Sequence, residues 1–340
     1  MNKQNSSTSP SKTIARLSIL SIALTLAACG GGGGSGGSSA PIASTPTVTP
    51  SNTIVTSVPD STYEVGSRED VAYKRLNAER KHCGFGLLAQ NKYLDIAAAA
   101  HAKYSATTFE FGHFETPGKP DFYGVDVDAR FARAGYNKEN TSGLAYPTGE
   151  AGEFDSFGDF TPVQTGNHAI RRILAAPYHA NTLLGGYMDV GVGFAKWDIF
   201  YANFASQSME LIQKTSELRT YPCEGTTGTM TNVLGETPTP FPGHPDQTWG
   251  QPIMVYGSAG LKISSASITG PKGSIPIRTI YGTGQTTDPE GGFGGQNSLD
   301  RAVVIPTAVL TTNTTYSVVI KGVDNGAAFD RSFNFATGSL

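Results

Sequence analysis

Residues 190–205 read VGVGFAKWDIFYANFA. Two short runs, VGVGFA (190–195) and FYANFA (200–205), are joined by a K-W-D-I connection and predict a pair of strands. What precedes them is helical. S-R-E-D (67–70) is a capping box with aspartate in its last place, opening a helix through VAYKRLNAERKH. A second helix starts near Asn91, with Leu94, Ala97, Ala98 and His101 at i, i+3, i+4 and i+7, so that one face packs closely through small residues. His101 lies on that face and reads as a satisfied core histidine. A third, DVDARFARAG, turns Val127, Phe131 and Ala134 inward and stops at Gly135. A fourth, NHAIRRILAAP, is expected to be capped by Asn167 and ended by Pro177, burying Ile170, Ile173 and Leu174. Helices first and a hairpin later give an α+β fold.

Downstream of Cys223 the composition changes. Residues 225–248 form a Pro/Thr/Gly-rich stretch, expected to be a connector. Beyond it the pattern has period two: LKISSASI, IPIRTIY, RAVVIP, TYSVVIKGV and FDRSFNFAT, separated by Gly, Pro and Asn turns. Short alternating strands of this kind predict a β-sandwich of the immunoglobulin or fibronectin type over residues 249–340.

Upstream, Lys3, Lys12 and Arg16 precede the apolar LSILSIALTL, which is too short for a stable membrane span. The Leu26-Ala27-Ala28-Cys29 that follows resembles the lipobox of bacterial lipoproteins. The resemblance implies cleavage before Cys29 and lipidation of it, with glycine rather than aspartate next, as for outer-membrane sorting. An ordinary signal peptide cut after A-x-A is the alternative. Residues 1–29 are thus read as a leader, and residues 30–62, almost without charge, as a flexible tether. The G-G-S-G-G at 33–37 matches a serine-hydrolase pattern, but no strand precedes it and no helix follows, as that motif requires. With Cys29 assigned, Cys83 and Cys223 are left as a pair, either a disulfide in an oxidising compartment or two buried thiols.

Across the 340 residues, 41 glycines, 20 prolines and only 16% charged residues suggest a loop-rich extracellular protein. The formal net charge of −3 argues against a nucleic-acid partner, which normally needs a basic face.

In order along residues 63–224 stand LNAER (76–80), the L-x-x-N-x-x-L of Leu88, Asn91 and Leu94, AAAAHAKY (97–104), F-G-H-F-E (111–115), F-Y-G (122–124), A-G-Y-N-K-E-N (134–140), A-P-Y-H-A-N-T-L-L (176–184) and D-V-G-V-G-F (189–194). Together they resemble the bacterial branch of the CAP superfamily (cysteine-rich secretory, antigen five and pathogenesis-related proteins) over roughly residues 68–205. The resemblance implies a CAP-type α-β-α sandwich with a central cleft lined by histidines and glutamates. By motif, His113, Glu139 and His179 match the family's cleft residues. Lys138 departs from the glycine usual before the glutamate, and no residue matches the second family glutamate; Glu115, Glu150 and Glu153 are candidates for its place. His-x-Glu spacing in an extended segment puts both side chains on one face, so Glu115 either joins His113 in the cleft or solvates the turn.

Neutral imidazoles with carboxylates suit Zn²⁺ or a similar divalent ion, with His113 and His179 as ligands. The same set, Glu139 with His113 or His179, could serve as acid and base in hydrolysis. A buried His–Glu network that only rigidifies the cleft is the structural alternative. His82, His168 and His244 read as surface or structural residues. The segment 144–166, with Phe154, Phe157 and Phe160, is either a lid on the cleft or a loop packing its own aromatics. No Ser-His-Asp order or HExxH motif is present. The expected function is therefore that of an envelope-anchored binding module for a small lipid or sterol-like amphiphile, a divalent ion, or both. Surface interaction and metal-assisted hydrolysis are the other readings.

Overall fold

Short polar side chains open the helices of the N-terminal half. Ser67 accepts the backbone N–H of Asp70 at the start of α1 (Arg68–His82), and Asn91 accepts that of Tyr93 at the start of α2 (Lys92–Thr108). Asp126 caps α3 (Val127–Ala134), which ends at Gly135 with φ +105°. The structure is a computed structural model and describes residues 54–136, 147–154, 160–208, 212–215, 217–233, 235–244, 246–281 and 300–339. The leader with Cys29, nearly all of the tether, Lys138, Glu139 and Phe157 lie outside these residues.

The fourth helix differs from its expectation. α4 runs Pro162–Leu174, capped by Thr161 in a full capping box with Gln164. Asn167 sits inside the helix and donates to the Val163 carbonyl. Pro177 ends nothing; it takes the first turn of a further helix, α5 (Pro177–Leu183). Ile170, Ile173 and Leu174 are buried as expected.

A four-stranded mixed sheet runs in the order β1 (Ala89–Gln90), β3 (Asp189–Phe194), β4 (Phe200–Ala205), β2 (Thr148–Glu153). β3 and β4 form the antiparallel hairpin of the opening stretch. Its alternation sorts the layers. Val190, Val192, Phe194, Phe200, Ala202 and Phe204 join the core made with α1, α4 and α5. On the opposite face Tyr201 and Ala205 meet the small residues of α2. Gly191 and Gly193 let the α2 backbone lie against the sheet, since a Cβ on either would come within 2.2 Å of backbone nitrogens of Asp95 or Ala99.

The remaining strands form two sheets. One is ordered β10 (Ile277–Tyr281), β11 (Arg301–Pro306), β7 (Ile253–Tyr256), β5 (Arg219–Tyr221). The other is ordered β6 (Thr226–Thr229), β13 (Ala327–Thr337), β12 (Thr315–Asp324), β8 (Lys262–Gly270), β9 (Gly273–Ile275). Ile253, Val255, Ala302 and Val304 share a core with Ile268, Val318, Ile320 and Phe335 of the second sheet. Met254, Tyr256, Val303 and Ile305, on the other side of the same strands, join the core of the helical half. β7 and β11 are therefore buried on both faces, which is why IMVY and AVVI are continuous apolar runs. The residues 225–248 contribute β6, a bridge from Val233 to Trp249, and the buried Glu236. Cys83 and Cys223 are joined in a disulfide. Among the described residues no helix is long and apolar enough to cross a membrane.

Candidate binding cleft

The aromatic turn after α2 begins with Phe109 in a left-handed conformation, and Gly112 has φ +108°. The backbone between His113 and Glu115 is therefore bent rather than extended, and the two side chains part. His113 faces the cleft and is half-exposed. Glu115 turns inward, where its side chain is fully buried. It neither lines the cleft nor solvates the turn: Oε1 lies 2.8 Å from His101 Nδ1, and Oε2 accepts from the backbone N–H groups of Tyr123 and Gly124. Burial alone would raise this carboxyl, but the His101 and backbone hydrogen bonds hold it below its ordinary value.

His101 is indeed a core residue with both ring nitrogens engaged, Nε2 donating to the Gly112 carbonyl at 2.8 Å. It also fixes the turn that carries His113. The α2 stripe that packs on the sheet thus leads directly to the site.

β2 supplies the acid at His113. Glu150 Oε1 lies 3.2 Å from His113 Nδ1, and Arg130 Nη2 of α3 donates to both Glu150 oxygens at 2.7 and 2.8 Å. With its amide oriented to suit, Asn203 donates to Glu150 Oε2 at 2.9 Å and accepts from the Ala98 N–H. Burial pushes the Glu150 carboxyl up, yet His113, His101 and Arg130 outweigh it and keep it below its ordinary value. Of the candidates for the second acid, Glu150 therefore stands beside His113. Glu153 pairs with Arg172 at 3.0 Å and lines the cleft.

His179 sits in the first turn of α5. Its partner is Glu236, which comes from the proline-rich stretch and has no counterpart among the residues singled out in the sequence. Glu236 Oε1 accepts the His179 backbone N–H at 2.8 Å and lies 3.2 Å from Nδ1. Burial disfavours a charged His179, but the Glu236 hydrogen bond and the nearby charges of Glu236, Glu153 and Glu150 lift it above its usual value. Burial lifts Glu236 as well, against the pull of His179. The two hold their proton as a unit.

The two histidines meet across the cleft with ring centroids 6.4 Å apart. Each has Nδ1 against a buried carboxylate, leaving Nε2 of each without a hydrogen bond among the described residues. The cleft has a volume of about 250 Å³. Phe111, Phe154 and Tyr201 form its apolar walls, with the Phe111 and Phe154 rings 4.5 Å apart. Phe154 thus belongs to the rim, whereas Phe160 packs on His168. Among the described residues the only group of three close metal-type ligands is His82, Cys83 and Cys223. The disulfide uses both sulfurs, so that group is no thiolate site.

Neither a protein-family description nor a curated protein matches the chain. Among solved structures it is similar to an extracellular protein containing an SCP domain from Bacillus anthracis str. Ames, at 18% identity and a TM-score of 0.32. The match covers 41% of this chain and 40% of that one, so the chain spans less than half of that protein's length.

Proposed function

We propose that this is an extracytoplasmic binding protein whose cleft holds a divalent ion of the zinc type on His113 and His179, beside a small amphiphilic ligand. The observation that carries the reading is the pairing of each histidine with its own buried carboxylate, Glu150 and Glu236, across one aromatic-walled cleft. A metal-binding imidazole characteristically gives its other ring nitrogen to a carboxylate or carbonyl, which fixes the tautomer and the ring's direction. The donor set suits the ion: two imidazole Nε2 atoms without a hydrogen bond among the described residues, one on α5 and one on the turn after α2, on rings with centroids 6.4 Å apart. When bound, the ion supplies Lewis acidity and open positions for a ligand oxygen. Phe111 and Phe154 offer an apolar surface for the rest of the ligand.

The architecture in this proposal is a CAP-type α-β-α sandwich over 63–224 followed by an immunoglobulin- or fibronectin-like sandwich over 249–340. The lipobox at Cys29 anchors the protein to the envelope, with outer-membrane placement. Hydrolysis ranks lower. Glu150 is clamped by Arg130 and Glu153 by Arg172, so neither is free to take a proton from water. Glu139, the other candidate acid, lies outside the described residues. A purely structural cleft, with surface interaction left to the β region, is the remaining reading.

Metal content of the purified protein separates these. Zinc near one equivalent is expected in the wild type and its loss in a His113→Ala/His179→Ala double variant. Equal, negligible zinc in both would remove the ion from the proposal. Native mass spectrometry after mild extraction tests the ligand: a co-purifying lipid-sized mass is expected, and its absence from protein with an intact cleft would count against the amphiphile.

A further inference from the structure

Separate from the two-histidine cleft, a second cavity of about 300 Å³ lies where α1 and the chain after α5 meet β5, β7 and β11. None of its lining residues lines the cleft. Its notable content is charge. Arg219 of β5 and Arg301 of β11 are both register partners of Tyr256 on the intervening β7. Directly opposite residues of antiparallel strands share a face, so the two arginines and the tyrosine form one row across three strands. Arg80 of α1 completes the wall.

Three guanidiniums and Lys214 line one cavity and repel each other, opposed by the carboxylates of Asp300 and, at Arg219, Glu217. Arg80 is buried and, among the described residues, bonded only to carbonyls, those of Gly86, Leu183 and Gly185. Arg219 stacks on Phe85, with Cζ 4.6 Å from the ring centre, and Arg301 lies 5.3 Å from the Tyr256 ring. Stacking secures each guanidinium's flat face. Of the edges, Arg301 Nη1 donates to Asn181 Oδ1 at 2.6 Å and Arg219 Nη1 to the Gly84 carbonyl at 3.5 Å, while Nη2 of each makes no hydrogen bond among the described residues. The Nε atoms of both Arg219 and Arg301 are buried and make no hydrogen bond. Among the described residues neither Arg80 nor Arg219 has an ion-pair partner. Asp300 stands 3.3 Å from Arg301 Nε, and its side chain is 39% exposed. Buried donors on a charged group are costly when they go unmatched. Like charges set in one row of a sheet add to that cost.

An anion in the cavity offsets the like charge and meets the unbonded Nη2 atoms of Arg219 and Arg301. Guanidinium edges match oxyanions two bonds at a time, and low-dielectric walls concentrate the attraction. We propose that this cavity binds a small oxyanion of the phosphate class, held between Arg219 and Arg301 with Arg80 behind them. A water occupies about 30 Å³ of liquid volume, so the space admits a phosphate together with a small substituent. The shared chemistry fits free phosphate and a phosphate monoester alike.

Isothermal titration of the full-length protein with inorganic phosphate, and separately with glycerol phosphate, tests this at ionic strength held constant with sodium chloride. One saturable site is expected for at least one of the two, and the tighter binder identifies the source. Arg219→Met and Arg301→Met keep much of the packing and should each weaken binding at least tenfold. Asp300→Asn removes the competing carboxylate from a half-exposed position and should tighten binding several-fold. That variant decides the matter even if an arginine variant misfolds. The proposal is overturned if neither ligand gives saturable binding to the wild type, or if Asp300→Asn binds no more tightly than wild type. A folded Arg301→Met with undiminished affinity overturns it equally.

Discussion

Glu236 grips His179 at two points, accepting its backbone N–H at 2.8 Å and standing 3.2 Å from its ring Nδ1. The acid arrives from 57 residues further along the chain, and its second oxygen is buried without a hydrogen bond. One carboxylate thus fixes both the turn that carries the histidine and the direction of the ring.

Replacing Glu236 by glutamine keeps the shape and removes the charge. Loss of such an outer carboxylate typically lowers metal affinity by about 10–100-fold. Competition against a chromophoric zinc chelator should show that drop while the far-ultraviolet circular dichroism is unchanged. An affinity equal to wild type would deny Glu236 any part in positioning His179.

His101→Leu should destabilise the protein by about 3–5 kcal/mol, the usual result of taking a hydrogen-bond partner from a buried carboxylate. It strands Glu115, whose side chain is fully buried against Nδ1, and it frees the Gly112 carbonyl. Urea unfolding measures the loss. A change below about 1 kcal/mol would mean that the backbone N–H groups of Tyr123 and Gly124 satisfy Glu115 by themselves.

Burial, helped by the charges of Arg171 and Arg172, pushes His168 down from 6.5 to about 4. A folded-state value below the unfolded one means that the unfolded chain takes up a proton first as pH falls. The stabilising contribution is complete above pH 6.5 and shrinks toward pH 4, at up to about 1.4 kcal/mol per pH unit. The total is about 3–4 kcal/mol. His168→Phe should lack this component, so the stability gap between wild type and variant should change across that window. Parallel curves from pH 7.5 to 4.5 would contradict the burial argument.

Gly193→Ala places a Cβ about 2.2 Å from the Ala99 backbone nitrogen. Nothing there can yield except the α2 backbone itself. Overpacking of a filled interior costs about 1–3 kcal/mol or more. A melting temperature within a degree or two of wild type would show that α2 slides on the sheet instead of locking to it.

The sequence disclosed what neighbours in the chain decide. Ser67, Asn91 and Gly135 mark helix ends because a cap is made within four residues. The alternating strands β8, β12 and β13 were legible for the same reason. α4 was misjudged at its start: Asn167 resembles a cap, but Thr161 and Gln164 form the real box one turn and a half earlier. IMVY, four residues without alternation, does not read as a strand, although RAVVIP of β11, likewise buried on both faces, does. Within the site, His113 and His179 could be picked out by motif, whereas Glu150 was one acid among several until β2 set its register against β4. Glu115 misled because the period-two rule holds only for an extended backbone, and Gly112 bends it. Glu236 carried no signal at all. Its neighbours TPTPFPG describe a loop, and only the packed chain shows where the Glu236 carboxylate points.

The Trp249 indole donates to the Ala175 carbonyl at 3.1 Å, and Gln251 Nε2 to that of Leu174 at 3.0 Å. These carbonyls belong to the end of α4, where a helix leaves acceptors unmet. The residues that finish the helix are thus encoded beyond the disulfide and on the way into β7. A protease cut within residues 237–248 of the native protein would leave the halves still clasped, whereas a gene ending there would yield a helical half with open acceptors and a bared apolar flank. Exchange of the C-terminal strands between relatives would need α4, Trp249 and Gln251 to travel together.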